Sequence, residues 1–202
     1  MYVDFLKLAK YKFILRPVEE IFLPEYKGST LRGAFGNSLK KICCVCKQDV
    51  CKDCSLKDKC IYSIIFESSP FGGSEKLKNL EEIPRPFVIE PPLTGKKHYT
   101  PKESLQFNLI LIGKAIEYLP YMIYTFIELG KTGIGKYRGR FKIEKVTNEK
   151  GDIIYDGESY FKNTNDSIKI EIPETDTGSK LKISFLTPTR IKYNGHYQGK
   201  PE

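Results

Sequence analysis

All six cysteines of the chain fall between Cys43 and Cys60. Four of them, Cys44, Cys51, Cys54 and Cys60, give the spacing C-x6-C-x2-C-x5-C. The C-x2-C step lets two thiolates of one tight turn reach a single tetrahedral metal. Lys47, Lys52, Lys57 and Lys59 stand among the cysteines, where their charge lowers thiol pKa and offsets that of a tetrathiolate. Zinc is the default occupant; iron–sulfur clusters are held by thiolates too, and free reduced thiols are the plain alternative. With four protein ligands a metal keeps no open position, so its role would be structural. Cys43 and Cys46 are spare, and Cys46 could replace Cys44 as first ligand.

A second concentration of chemistry runs from Gly130 to Arg140, where four glycines alternate with Lys131, Lys136, Arg138 and Arg140. Glycines let backbone amides approach a phosphate, and cations neutralise it. The segment is no P-loop, because the G-x4-G-K-[ST] order is absent and it leaves a helix instead of entering one. A helix stop followed by a tight turn explains the glycines equally well; the four cations tip the reading towards RNA, with Tyr137 available to stack on a base. A third cluster lies in Gly28 to Gly36. Gly33 and Gly36 inside a helix cost roughly 1 kcal/mol each relative to alanine, so something must pass close to that face, a backbone or an RNA strand. Arg32 and Lys40, eight residues apart, fall near one line along that helix and could track phosphates.

The elements that position these residues can be read from periodicity. Residues 3–16 alternate as a strand with a bulge near Ala9, and Ser29 to Cys43 is a helix burying Leu31, Phe35, Leu39 and Ile42, with Ser29 as its cap. Tyr62 to Glu67 is a short element of undecided type, followed by a Pro- and Gly-rich connection over 70–86. Phe87 to Glu90, bracketed by prolines, is an edge strand, and Leu105 to Leu111 a cleanly alternating one. A second helix starts at Pro120 and stops at Gly130. Strands follow at Phe141 to Thr147, Asp152 to Tyr155 and Lys180 to Phe185, with a hairpin turn at Asn148 to Gly151. The order strand, helix, strand, strand, helix, strand is that of an α+β, ferredoxin-like (RRM-like) βαββαβ domain with an extra β-hairpin region.

Lysine and arginine outnumber acids by 33 to 25, for a formal net charge of +8. That excess points to a polyanion partner only if it is gathered on one surface. The longest apolar stretch, Leu105 to Leu129, contains Lys114, Glu117, Pro120 and Glu128, and no leader pattern opens the chain, so a cytoplasmic protein without a membrane span is expected. Clustered cysteines, with none elsewhere to tie distant parts together, agree with a reducing compartment.

The succession LPEYKGSTLRGAFGNSLKKICC, C-x2-C-S-L-K-D-K-C-I-Y, IFE, PRPFVIEPP, LILIGKAIEYLPY and ELGKTGIGKYRGRF resembles the CRISPR-associated RAMP endoribonucleases that process precursor CRISPR RNA, in the subgroup with a cysteine insertion after the first helix. The resemblance implies a RAMP domain over 1–190 with the insertion at 43–60, and repeat RNA as ligand. It also implies metal-independent cleavage, in which the ribose 2′-OH attacks the adjacent phosphate. Other CRISPR-associated proteins are expected partners. Such enzymes usually carry a second ferredoxin-like domain, so residues 191–202 are expected to be a linker towards one. Where the family uses a catalytic histidine it lies near the first helix, and here Asn37 stands there. Base, acid and phosphate-neutralising roles are open by type to Tyr26, Lys27, Arg32, Lys40 and His98, with Tyr26, Lys40 and His98 the catalytic candidates and Lys27, Arg32 and Lys40 also RNA contacts. His196 is weaker. The competing reading is an RNA-binding or structural RAMP subunit without catalysis. A cysteine clip docking to protein partners ranks last, because the sequence around it is mostly charged.

Overall fold

The computed structural model describes residues 6–47, 51–67, 84–159, 167–168, 182–189, 192–193 and 196–197. Within them, β1 (Leu8–Pro17), β2 (Ile21–Phe22) and α1 (Gly28–Cys43) lead to a 3-10 turn at Cys51–Asp53 and a π-helical turn at Ser63–Glu67. Then come β3 (Phe87–Glu90), β4 (His98–Tyr99), β5 (Leu105–Ile112), a 3-10 turn at Gly113–Tyr118, α2 (Leu119–Thr132), β6 (Phe141–Asn148) and β7 (Ile153–Tyr155).

The five long strands form one antiparallel sheet in the order β3-β5-β1-β6-β7, so β1 sits at its centre between β5 and β6. Leaving out β7, the chain order across the sheet is fourth, first, third, second, which agrees with the expected ferredoxin-like α+β arrangement. One face of β1 presents Tyr11, Phe13 and Leu15, all fully buried, and both helices cover it. Phe126 of α2 joins the layers: its ring lies 5.2 Å from Phe13, 4.9 Å from Phe107 and 5.3 Å from Phe35 of α1. Burying such a ring contributes roughly 1.5–3 kcal/mol. The opposite sheet face is open and polar. Lys10 pairs with Glu90 across it at 2.8 Å and Arg16 with Glu144 at 2.6 Å.

Several element boundaries differ from the periodicity reading, each for a physical reason. The register slip in β1 falls at Ile14/Leu15 against β6, not near Ala9; alternation alone does not locate an extra residue that belongs to the partner strand. Helix α1 starts at Gly28 after Lys27, with no side-chain cap, so Ser29 is inside the first turn. Helix α2 runs past Gly130 to Thr132. Gly130 is glycine because a β carbon there would strike the carbonyl of Phe141 in β6; the helix ends instead at Gly133, whose φ of 81° suits glycine. Of the strand expected at Lys180 to Phe185, residues 182–185 form none: Ile183 and Phe185 are exposed, so the alternation finds no sheet to join, while 180 and 181 lie outside the described residues. The connection expected over 70–86 lies outside them up to residue 83. Periodicity did not reveal the two-residue ribbon of β2 with β4, nor the pairing of Lys192–Tyr193 (β8) with His196–Tyr197 (β9) inside the expected linker. The hairpin turn at Asn148 to Gly151 is as expected, closed by Gly151 N–H donating to the Asn148 carbonyl at 3.1 Å.

Two glycines in left-handed backbone make a paired test. At Gly151 the space around the absent β carbon is open, so Gly151→Ala carries only conformational strain, about 1–2 kcal/mol. At Gly135 a β carbon would also strike the carbonyl of Phe22, so Gly135→Ala should lose clearly more stability than Gly151→Ala in parallel chemical denaturation. Equal losses would contradict the close packing.

Candidate nucleic-acid interface

The segment after α2 is a tight backbone hairpin. Ile134 and Gly139 exchange both N–H···O bonds at 3.0 and 3.1 Å, and Arg138 N–H donates to Gly135 O at 3.3 Å. The hairpin lies against the β1–β2 connection: Lys136 N–H donates to Phe22 O at 3.0 Å, and Val18 N–H to Arg140 O at 2.8 Å. A β carbon on Gly139 would strike Glu20 O, and one on Gly133 would strike Arg138 O. These glycines are thus required by backbone packing within the protein, not by a phosphate cradle. Arg138 itself sits at φ 53°, an uncommon conformation for a side-chain-bearing residue.

Clamped this way, the hairpin forms one wall of a groove of about 1130 Å³ whose other walls are α1 and α2. Lys136 and Arg138 enter it from the hairpin, Asn37, Ser38 and Lys41 from α1, and Tyr124, Glu128 and Thr132 from α2. Among the described residues none of Lys41, Lys136 and Arg138 is ion-paired, whereas Glu128 is engaged by Lys131 at 2.6 Å. At the rim three rings follow one another. His98 stacks on Phe22 at 4.4 Å and 9°, and Tyr137, two-thirds exposed, meets Phe22 edge-on at 5.4 Å. Glu20 lies 3.6 Å from His98 Nε2.

The expected RNA contacts therefore separate. Lys136 and Arg138 share the groove, with Lys131 at its edge on Glu128. Arg140 is exposed but held by a two-pronged pair with Glu19, at 2.9 and 2.7 Å, which raises the guanidinium's pKa and lowers that of the carboxyl. Arg32 points to the other side of α1, over the rings of Phe87 at 4.8 Å and Phe66 at 5.3 Å; burial, then neighbouring Arg85, pulls its pKa down. It is a packing residue. Lys40 turns over Tyr62, 5.7 Å from its ring. Lys27 is fully buried, its ammonium donating to Glu25 O and Thr94 O at 2.8 Å each, which removes it from any RNA-facing surface. It pins the 91–99 connection to the start of α1. Gly36, expected to face a passing strand, packs on Phe66 instead, and Gly33 faces open space.

The three catalytic candidates do not meet. Tyr26 packs its ring over Gly28 at the head of α1, Lys40 lies about 18 Å further along by helical rise, and His98 is on the ribbon at the groove's rim. Lys41, Ser38 and Thr132 line the groove without having been singled out in the sequence; that Lys41 and Lys136 share it depends on how α1 and α2 pack, which no one-dimensional pattern contains.

The cysteines surround a separate recess. Cys44, Cys54 and Cys60 line it with Cys43 and Cys46, while Cys51 lies outside it, within electrostatic reach of Glu67, Lys40, Cys44 and Cys60. Burial pushes the Cys43 thiol up to about 11. Among the described residues no three His, Cys, Asp or Glu side chains stand close enough together to hold an ion. Nor is any helix among them long and apolar enough to cross a membrane.

A family model described as the N-terminal domain of AF_1859 matches residues 6–167. The chain belongs to that family. It is also 27% identical over 172 residues to an uncharacterized protein of Archaeoglobus fulgidus, an alignment that covers 84% of this chain. The chain spans 57% of that relative's length.

Substituting Lys27 tests its assignment as a buried strut. Lys27→Met strands two carbonyls and should cost roughly 1–3 kcal/mol. Burial lowers the Lys27 pKa, so the unfolded chain holds the proton more tightly. The wild type's advantage over the variant should then grow as pH rises from the lowered folded value towards that of an ordinary lysine, as urea denaturation at stepped pH would show.

Proposed function

We propose that this chain is an RNA-binding protein of the CRISPR-associated RAMP type, and that the groove between α1, α2 and the Gly133–Gly139 hairpin receives the RNA backbone. The observation that carries the reading is the set Lys41, Lys136 and Arg138, three cations from two elements lining one groove with no carboxylate paired to them among the described residues. Desolvating an unpaired cation is favourable only if an anion arrives, and a phosphodiester chain supplies one at each step. The open sheet face, where RRM-type domains stack bases, offers no aromatic residue on β1, β3, β5 or β6, although Lys12 and Lys142 are exposed on it. The groove's rim has Tyr137 and His98, which suit unpaired bases. A single-stranded or hairpin repeat RNA, the ligand implied by the sequence resemblance, fits both features.

Cleavage of that RNA is the second reading, and His98 favours it. The ring is fixed by stacking on Phe22 at the groove's rim, and Glu20 stands behind one nitrogen, an arrangement that orients an imidazole for proton transfer. In this reading His98 takes the proton of a ribose 2′-OH, whose oxygen attacks the adjacent phosphorus, and the 5′-oxygen of the next nucleotide leaves with a proton from solvent or a groove lysine. The products are a 2′,3′-cyclic phosphate and a 5′-OH. Asn37 lines the groove at the position where related sequences carry histidine; its amide can hold a phosphate oxygen but cannot exchange a proton at neutral pH.

Fluorescence anisotropy with labelled repeat RNA across a salt series checks the binding surface. Lys136→Ala and Arg138→Ala should each weaken binding and reduce the slope of log K against log salt by about 0.7, as loss of one phosphate contact to a single strand requires. Arg32→Ala, corrected for any loss of folded protein, should leave the slope intact; an unchanged slope in both groove variants would refute the assignment.

Cleavage is read on the same RNA in magnesium-free buffer. A cyclic-phosphate product, abolished by a 2′-deoxy substitution at the cut and slowed by roughly 100-fold in His98→Ala, is the outcome expected of the enzyme. Binding without any product would leave the chain as an RNA-binding subunit.

A further inference from the structure

We propose that Cys44, Cys46, Cys54 and Cys60 form a zinc-binding thiolate site, in which Cys46 takes the place that the tight-turn spacing assigns to Cys51. The proposal is independent of the RNA reading, because the recess is lined by none of the groove's cations.

Geometry selects the four. They line a single recess of about 260 Å³ below the C-terminal end of α1. The side chains of Cys46 and Cys54 are near enough to interact, and Cys44 and Cys60 lie within electrostatic reach of Cys46. Cys46 is exposed at the end of its loop, so it can adjust without disturbing the core. Cys51 differs in that it lies outside the recess, although it too is within electrostatic reach of Cys44 and Cys60, with Glu67 and Lys40 also near it. Cys43 borders the recess but is the last residue of α1, so its side chain is set by the helix.

The chemistry of the walls agrees with a soft dication. Val45, Leu56, Ile61 and Tyr121 stand beside the cysteines and offer few polar partners to a thiolate, whereas a metal ion supplies both charge and bonds. Lys59 at the margin offsets part of the net negative charge of four sulfurs around one zinc. In the present arrangement the thiols have not converged on a point, and an ion must draw Cys44 and Cys60 onto the Cys46–Cys54 pair. Each thiol yields its proton to solvent as its sulfur bonds the metal. Closure would then fasten the end of α1 to the loop between Cys51 and Cys60, giving the insertion a structural metal in place of a core of its own.

The test is metal content and cobalt spectroscopy on the full chain. Purified protein should carry about one zinc, and Co(II) in its place should show the thiolate charge-transfer bands of a tetrahedral all-sulfur site. Removing a true ligand must weaken affinity at least as much as losing an outer partner of a metal site, roughly 10–100-fold. Cys46→Ser and Cys54→Ser should therefore lose zinc to a competing chelator at that margin, while Cys51→Ser and Cys43→Ser keep it. Loss in Cys51→Ser with retention in Cys46→Ser would overturn the ligand set. Iron with visible cluster absorption would overturn the metal, and absence of any metal with six freely reactive thiols would overturn the site. If Cys46→Ser fails to fold, the cobalt spectrum of Cys51→Ser decides alone: an unaltered all-sulfur spectrum supports the proposal, and a changed one refutes it.

Discussion

The structure turns on a place where two backbones touch. The hairpin after α2 and the β1–β2 segment approach so closely that Gly135 and Gly139 have no room for a β carbon. Everything at the candidate interface follows from that contact. It fixes the height of Lys136 and Arg138 over the helices, and it makes Phe22 both a strand residue and the base of the aromatic rim. It also holds Arg138 in a left-handed conformation that a freer loop would relax away. Because the contact is made by hydrogen bonds to carbonyl oxygens, it tolerates no side-chain compromise, which is why the cations around it can be presented from a rigid support.

The helices are held to the sheet by different means. Phe126 is the meeting point of Phe13, Phe35 and Phe107, so the relative placement of α1 and α2, and hence the width of the groove between them, depends on ring packing in the core. The far end of α1 is supported by the π-helical turn, whose Phe66 fills the hollow left by Gly36 and stacks with Phe87 at 6.0 Å. Arg32 lies over the same rings. One helix thus has the cation-bearing groove on one side and an aromatic shelf on the other, with its cations divided between solvent-facing and packing roles.

Much of the architecture was legible because it is periodic. The alternation of Leu105 to Ile112 and the 3–4 spacing of Leu31, Phe35 and Leu39 each have one arrangement that buries them, and the strand and helix order follows. What was illegible is what depends on a partner distant in the chain. Gly130 reads as a helix stop until Phe141 is seen beside it, and Arg32 reads as a phosphate contact until Phe66 and Phe87 are found under it. Lys27 resembles any surface lysine in the sequence, since its carbonyl partners come from residue 25 and residue 94. The bland explanation of the glycine-rich segment, turn geometry, accounts for the glycines themselves, while the cations between them reach the groove.

The proline-flanked strand β3 has a consequence for assembly. Among the described residues it is one edge of the sheet, paired only with β5, and Pro86 and Pro91 stand immediately before and after it. Prolines lack the N–H that a neighbouring strand would need, so this margin resists being lengthened by another chain's strand. Any molecule that meets the protein here must recognise side chains, and a neighbour seeking backbone pairing is turned away.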